Sequence, residues 1–587
     1  MKFSRLAEYF VKIEKTASRL EMTGLLAELF KEISQEEIDL TVYLSLGRLR
    51  PKFEGVEFNL AEKMMLRAIG VAYHVNLSIV TNEFKKRGNL GEVVQCLVNQ
   101  RLASRKNLSV AQVYQRLWDI AVDEGQGSQE RKVNNMAKLI QDLNNLSAQF
   151  VVRIPINNLR LGFSEMTVLD GLSWMAKDDK SLRPELERAF NLCADIGEIA
   201  KVFKESGLAG ISGIKAKIGV PIRPAKSERL PSAAKIVEKL EVFGVEGKWD
   251  GLRVQIHLDK IRNSKHEIRK SLFEEKPQSF VRIFSRNLDN MTAMFPDIAK
   301  ACENLAVKSV ILDGEAMASD PKTGKLLAFQ ETVQRKRVHG IGQKAEEMPM
   351  KVFVYDILLL DGESLIEKTF RERRKALEKI FSKNNSSTLN LAEQEIVSDV
   401  KRLKELMTEY LKMGLEGVMC KKLTTSYQAG ARNFNWVKLK KATEGDLTDT
   451  IDCVVMGYYA GKGKRTGFGV GAFLVGVMDE KGKIGSIAKI GTGLTDEQWK
   501  ELKARSTKLE IRNKPEEYIV DKNLEPDVWV RPELVVEILA DEITKSPIHS
   551  FGLALRFPRL VNFRDDKNVS EATTRQELEK MFRLQGK

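Results

Sequence analysis

Cysteine is scarce in this chain: five in 587 residues, with the nearest two, Cys420 and Cys453, 33 positions apart. Without a Cys-X-X-Cys pair, neither a structural zinc site nor a disulfide framework is expected to organise the fold. A reduced setting follows. Long apolar runs are missing too. Stretches such as Ala472 to Met478 fall far short of the ~18 residues a membrane helix needs. The opening MKFSRLAEYFVKIEKTASRL carries charges every few residues and has no signal-peptide apolar core. A cytoplasmic protein with no membrane partner is therefore expected. No fixed period of about 30–45 residues recurs, which argues against a helical solenoid.

What is present is an ordinary apolar fraction, 43%, and an excess of positive charge: 95 Lys and Arg against 81 Asp and Glu, or +14. The first excludes a largely disordered chain. The second, spread along the sequence, favours a polyanionic partner, with nucleic acid ahead of membrane lipid. At ~150 residues per domain the length implies two to four domains. The grammar changes twice. Residues 1–218 read as successive amphipathic helices, for example Leu6, Tyr9, Phe10 and Ile13 at helical spacing, Ser109-VAQVYQRLWDIAVDEG with a capping Ser, and a span from Pro184 to Phe203. The segment Gly219-VPIRPAKSERLP, with three prolines, breaks that pattern as an extended linker. Residues 219–445 mix short β-rich runs with helices such as Phe370 to Phe381, an α+β pattern. Residues 446–587 offer short strands and Gly-rich turns that fit a small β-barrel.

Chemistry concentrates in Val245-EGKWDGLRVQIHL. Lys-X-Asp-Gly by itself is more often a surface turn. Here five further elements follow it in order: Phe284-SRN, Asp313-GE, Tyr355-Asp, Glu416-GVMCK and Trp436-VKLK. A lysine nucleophile must be neutral, and an ordinary lysine with pKa ~10.4 is deprotonated in only about one molecule in a thousand near pH 7.4. Nearby cations such as Arg253 and Lys438, with partial burial, favour the free amine.

This ordered set resembles the covalent nucleotidyltransferases that form lysyl-AMP or lysyl-GMP, above all the ATP-dependent DNA ligases of the archaeal and eukaryotic replicative type. Both ends of the chain share the likeness, in Phe3-SRLAEYFVKIEKTASRLEMTGLLAELF and Arg556-FPRLVNFRDDKNVSEATT. The resemblance implies an all-α DNA-binding domain (1–218), an α+β nucleotidyltransferase domain (219–445) and a C-terminal OB-fold barrel (446–587). It implies ATP as nucleotide donor, Mg²⁺ as metal and nicked duplex DNA as substrate, with Lys248 attacking the α-phosphate. Glu246 matches the adenine-recognising position and Tyr355 the usual stacking Phe. Arg253, Arg286 and Arg432 match residues that hold ribose, phosphates or the nicked end. Glu315 and Glu416 match carboxylates near the metal, Glu315 also near the ribose. Lys421, Lys438 and Lys440 match phosphate-contacting lysines. Arg564 and Lys567, in Arg564-Asp-Asp-Lys567, match a motif that swings over the nucleotide for the first step and orients pyrophosphate. Residues 441–449 then serve as hinge, while Gly461-KGKRTGFG, Gln334-RKRVHG and Arg153-IPINNLRLG supply basic DNA contacts.

Two departures stand out. A polar, charged insertion spans Asp259 to Gln278, and Arg223-PAKSERL replaces the usual Arg-Pro-Met-Leu. A monomer is expected. A sliding clamp is a candidate partner, although the full motif of Gln followed by paired aromatics is missing. An RNA ligase or GTP-using capping enzyme is disfavoured by the long helical N-terminal domain, and an NAD⁺-dependent ligase by the missing zinc cysteines. A non-catalytic DNA-clamping scaffold is disfavoured by the presence of Lys248, Glu315, Glu416 and Lys438 together.

Overall fold

The computed structural model describes all residues except 98–105, 158, 231, 262–278, 337–339, 384–385, 441–449, 462–468 and 585–587. Most of the expected insertion, the expected hinge, the Gly-Lys-rich loop and part of the RKRVHG cluster thus lie outside the described residues. The chain forms two compact units. One comprises Met1–Glu228, Lys239–Asp399 and Met419–Val437; the other comprises Arg229–Glu238, Val400–Val418 and Lys438–Lys587.

In the first unit, α-helices run from Phe3–Glu14 to Ile196–Ser212. Their apolar stripes converge as the periodicity requires: Phe3, Leu6, Phe10 and Ile13 of the first helix are fully buried. Ser109 caps Val110–Val122 through a capping box with Gln112. The span expected as one helix from Pro184 to Phe203 is two, Arg183–Leu192 and Ile196–Ser212. Asp195 separates them, because its side chain accepts from the N–H groups of Gly197 and Glu198 and starts a new helix. Arg153, in the loop expected to grip DNA, is turned inward. It pairs with Glu14 at 2.8 Å and donates to Asn89 at 3.0 Å.

Two sheets follow. The larger runs in the order Phe280–Ser285, Leu252–Asp259, Ser309–Ala318, Met350–Leu360 and Glu363–Ser364, with Leu389–Leu391 also beside Met350–Leu360. The other runs in the order Lys226–Arg229, Arg432–Lys440, Gly417–Lys422, Phe243–Gly247 and Gln394–Val397. Consecutive strands Phe243–Gly247 and Leu252–Asp259 therefore belong to different sheets, and Lys248 sits on the connection between them. The linker is extended as its prolines dictate and is held by Arg223, which pairs with Glu165 at 2.9 Å and lies over the Phe190 ring.

The C-terminal part of the second unit is β-rich. Ile451–Ala460, Val470–Met478 and Ile484–Ile490 form an antiparallel meander, and Val535–Leu539 pairs with both Ile451–Ala460 and Arg559–Phe563. Register shifts at Val455/Gly457 and Tyr459/Ala460 bend the central strand. Phe473, Trp499, Leu502 and Leu578 fill its core.

Candidate active site

The Lys-X-Asp-Gly turn is shaped by close approach. A Cβ on Gly251 would lie 2.6 Å from the Ala316 carbonyl oxygen and 3.1 Å from Glu315 Cγ, so only glycine lets the turn lie against the Asp-Gly-Glu strand. Directly beyond it, Arg253 stands opposite Glu315 in the antiparallel register. Gly314 obeys the same rule, since its Cβ would meet Val352 Cγ1 at 2.8 Å. Lys248, Trp249 and Asp250 are half-buried here. Trp249 stacks on Phe353 with centroids 3.6 Å apart and planes inclined by 8°.

Glu315 feels all of these charges. Burial pushes its carboxyl up to about 7, against the pull of Lys248 and Arg253 and with the help of Asp250. The sign of the consequence is definite. Because the folded value lies above the ordinary 4.5, the folded state binds the proton more tightly, and a penalty on folding grows as pH rises through that interval. Glu315→Gln should therefore stabilise the protein by about 1–2 kcal/mol at pH 8 and by nothing at pH 4. Melting curves at the two pH values check this; equal gains at both would contradict it.

A buried network fixes Arg253. Its Nη2 donates to Asp313 at 2.6 Å and its Nε to the Tyr355 hydroxyl at 3.2 Å, an acceptor that a phenylalanine would not provide. Asp313 also accepts from Tyr427 at 2.8 Å and from Gln255 Nε2 at 3.0 Å. Gln255 in turn accepts from the linker N–H of Ile222 at 2.7 Å, and Tyr427 from the N–H of Ala225 at 3.0 Å. His257 closes the chain. Gly219 N–H donates to its Nδ1 at 3.1 Å, which leaves Nε2 to donate to Gln255 at 3.0 Å. That tautomer is neutral, and burial holds the ring down at about 3. Arg253 Nη1 and Trp249 Nε1, both buried, have no hydrogen-bond partner among the described residues. Two donors left open beside Lys248 fit a ligand rich in acceptor oxygens, as a nucleotide is.

Glu246 and Lys421 form a fully buried ion pair at 2.6 Å. Gln394, opposite Glu246 in the register, donates to it at 2.8 Å. Lys421 Nζ lies 4.5 Å from the Tyr355 ring, 4.8 Å from Phe370 and 4.6 Å from Trp436. Lys421, matched to a phosphate contact, is thus engaged by a carboxylate and three aromatic faces. Tyr355, matched to the adenine stack, meets Trp436 edge-on at 6.0 Å. Behind them Arg373 clamps Asp356 bidentately at 2.7 and 3.0 Å, both buried. Arg286 and Arg432 are exposed.

In the second unit, Glu416 pairs with Lys440 at 3.0 Å and with Arg556 at 3.6 Å. Gly417 must be glycine: its φ is 143°, and a Cβ would fall 2.2 Å from the Leu439 carbonyl oxygen. Lys438 precedes Lys440 by two on the strand Arg432–Lys440, so both project from one face. Arg564 and Lys567 both contact Asp452. Among the described residues no three or more His, Cys, Asp or Glu side chains converge as a metal cage. Trp249, Gln255, Tyr427 and Gln394 join these contacts without a motif that marks them. For Gln255 the available signal was a polar residue at an inward position of an apolar strand.

A model described as ATP dependent DNA ligase domain matches residues 224–440, one described as DNA ligase N terminus matches 2–173, and one described as ATP dependent DNA ligase C terminal region matches 466–567. A probable DNA ligase of Dictyoglomus turgidum is 42% identical over 597 aligned residues, covering 100% of this chain and 98% of its own. DNA ligase 2 of Thermofilum pendens is 37% identical, again with 100% and 98% coverage. The solved chain described as Pmar-Lig_PreS3 superposes with a TM-score of 0.54 at 19% identity over 95% of this chain and 99% of its own, a likeness of fold. With three family models spanning most of its length and relatives alike from end to end, the chain belongs to the ATP-dependent DNA ligase family.

Proposed function

We propose that Lys248 is the nucleophile of this ligase. Its Nζ attacks the α-phosphorus of ATP; the N–P bond forms as the bond to pyrophosphate breaks, giving lysyl-AMP. AMP then passes to the 5′-phosphate of a nick, and the 3′-hydroxyl displaces it to seal the strand. The observation that carries this reading is the convergence of Lys248, Asp250 and Arg253 on Glu315, beside two buried donors that await acceptors. Phosphoryl transfer asks mainly for positioning and charge neutralisation, and this arrangement provides both.

Each neighbour has a part in that scheme. Arg253, locked by Asp313 and Tyr355, presents its open Nη1 to the nucleotide. Glu246 and Gln394 offer the polar edge that reads adenine, with Tyr355 as its aromatic neighbour. Lys438, Lys440 and Lys421 balance phosphate charge, and Arg286 and Arg432 hold the nicked end. Glu315 and, separately, Glu416 are carboxylates suited to Mg²⁺, which keeps several waters and shares substrate phosphates rather than needing an all-protein cage; an ion held by either would neutralise charge developing on the phosphates. Arg564 and Lys567 orient pyrophosphate in the first step. The functional domains are 1–218, 219–445 and 446–587, the last an OB-fold barrel in keeping with its bent antiparallel meander. The enzyme works as a cytoplasmic monomer on nicked duplex DNA, with a sliding clamp as a candidate partner.

The test is direct. With Mg²⁺ and α-labelled ATP, GTP or NAD⁺, the protein should become covalently labelled by ATP alone, and it should seal nicked DNA far faster than nicked RNA. Labelling by GTP, or the reverse order of substrates, would sink the assignment.

A further inference from the structure

Arg564 and Lys567 lie on the turn after the strand Arg559–Phe563, and both reach back to one carboxylate. Arg564 Nη1 donates to the two oxygens of Asp452 at 3.0 and 3.2 Å, and Lys567 Nζ donates to Oδ2 at 2.6 Å. Only 11% of the Asp452 side chain is exposed. Its backbone is fixed as well. It stands opposite Glu537 in the sheet, its N–H donates to Thr573 Oγ1 at 3.0 Å, and its carbonyl accepts from the Thr573 N–H at 2.9 Å. A rigid sheet residue thus anchors two long side chains of a turn.

The other side of the guanidinium is engaged differently. Arg564 Nε and Nη2 donate to Asp566 at 2.9 and 2.7 Å. Asp566 is an exposed neighbour two positions along the same turn, and the hydrogen bonds from Arg564 hold its carboxyl down at about 2. The edge it occupies can match a phosphate bidentately. The two carboxylates therefore differ in kind: Asp452 is built into the sheet and takes the far nitrogen, while Asp566 sits on the phosphate-binding edge and can be exchanged for a phosphate.

We propose that Asp452 is a positioning residue for the first step, gathering Arg564 and Lys567 into one paired cation site for the leaving pyrophosphate. The inference rests on the reading that these two cations act on pyrophosphate. Pyrophosphate carries two phosphate groups and calls for two cations at once, yet neighbouring cations repel. The carboxylate between them cancels that repulsion and fixes rotamers that would otherwise have to be ordered when the nucleotide arrives. When pyrophosphate takes the Nε/Nη2 edge, Asp566 swings away and Asp452 stays.

The test uses the full chain and three readouts: lysyl-AMP formation from α-labelled ATP, its reversal by pyrophosphate, and sealing of a pre-adenylylated nick. Asp452→Asn should slow lysyl-AMP formation ~30-fold and raise the half-saturating pyrophosphate in the reversal ~10-fold, with sealing kept within about threefold. Asp452→Glu, which retains the charge, should recover a substantial part of the lost rate. Asp566→Asn should act the other way, speeding the reversal about twofold to threefold. Equal loss of formation and sealing in Asp452→Asn, or no rescue by Glu, overturns the proposal. Arg564→Ala separates it from its premise. If that change slows lysyl-AMP formation while Asp452→Asn does not, the positioning role falls and the pyrophosphate reading stands; if Arg564→Ala leaves formation intact, both fall.

Discussion

Lys248→Ala should yield no covalent adenylate, a loss of at least ~10⁴-fold in the first step, because no other group replaces a missing nucleophile. Lys248→Arg discriminates between chemistry and charge. Arginine would preserve a cation beside Glu315, but its guanidinium stays protonated and offers no free amine. If the lysine served only to neutralise phosphate, the arginine variant would keep most of the activity; the nucleophile assignment requires that it fail as completely as alanine. Sealing of a pre-adenylylated nick bypasses the lysine, so both variants should retain it within about tenfold. The measurement is gel-resolved transfer from α-labelled ATP beside single-turnover sealing. A labelled adduct that persists in Lys248→Ala would move the nucleophile elsewhere.

The parts of this site that were legible in the sequence are those where glycine betrays a close approach. Lys-X-Asp-Gly, Asp-Gly-Glu and Glu-Gly-Val-Met each place a candidate site residue within three positions of a glycine whose Cβ would collide with backbone or side-chain atoms. Such signals are local, and so were the amphipathic helices and the linker prolines. What escaped was pairing across the fold. Nothing in the neighbourhood of Gln394 says that it meets Glu246, 148 positions away, nor does the run Val-Gln-Ile-His tell that Gln255 joins Asp313 to the linker. Periodicity assigns a side chain to a face; register and long-range topology choose its partner. The same limit explains the helix break at Asp195, where a capping side chain outweighed a continuous apolar pattern. It also explains Arg153, which lies in a loop whose family resemblance suggested DNA contact, while its surroundings supply Glu14 and Asn89.

The buried pair Glu246–Lys421 carries the second large effect, and here stability and function should separate. Both side chains are almost wholly removed from water and meet at 2.6 Å. Burial pushes the Glu246 carboxyl up, and Lys421 opposes that shift by stabilising its charged form. Removing one member strands the other charge among apolar and aromatic groups. Glu246→Ala or Lys421→Ala should therefore cost about 3–5 kcal/mol, enough to consume a large share of the stability of an ordinary domain. Removing both members is a different matter. In Glu246→Gln/Lys421→Met the volume is nearly kept, Gln can still meet Gln394, and methionine packs well against Tyr355, Phe370 and Trp436. Desolvation of two ions is then no longer incurred, so the double variant should melt within a few degrees of the parent, or above it. Its lysyl-AMP formation should nevertheless fall ~100-fold or more if, as proposed, the carboxylate and the ammonium serve the nucleotide. Thermal melts of Glu246→Gln, Lys421→Met and the double variant, read with their adenylylation rates, form a closed cycle. A double variant that recovers both stability and rate would mean that the pair only holds the sheet together; one that recovers stability alone assigns the ion pair to the nucleotide.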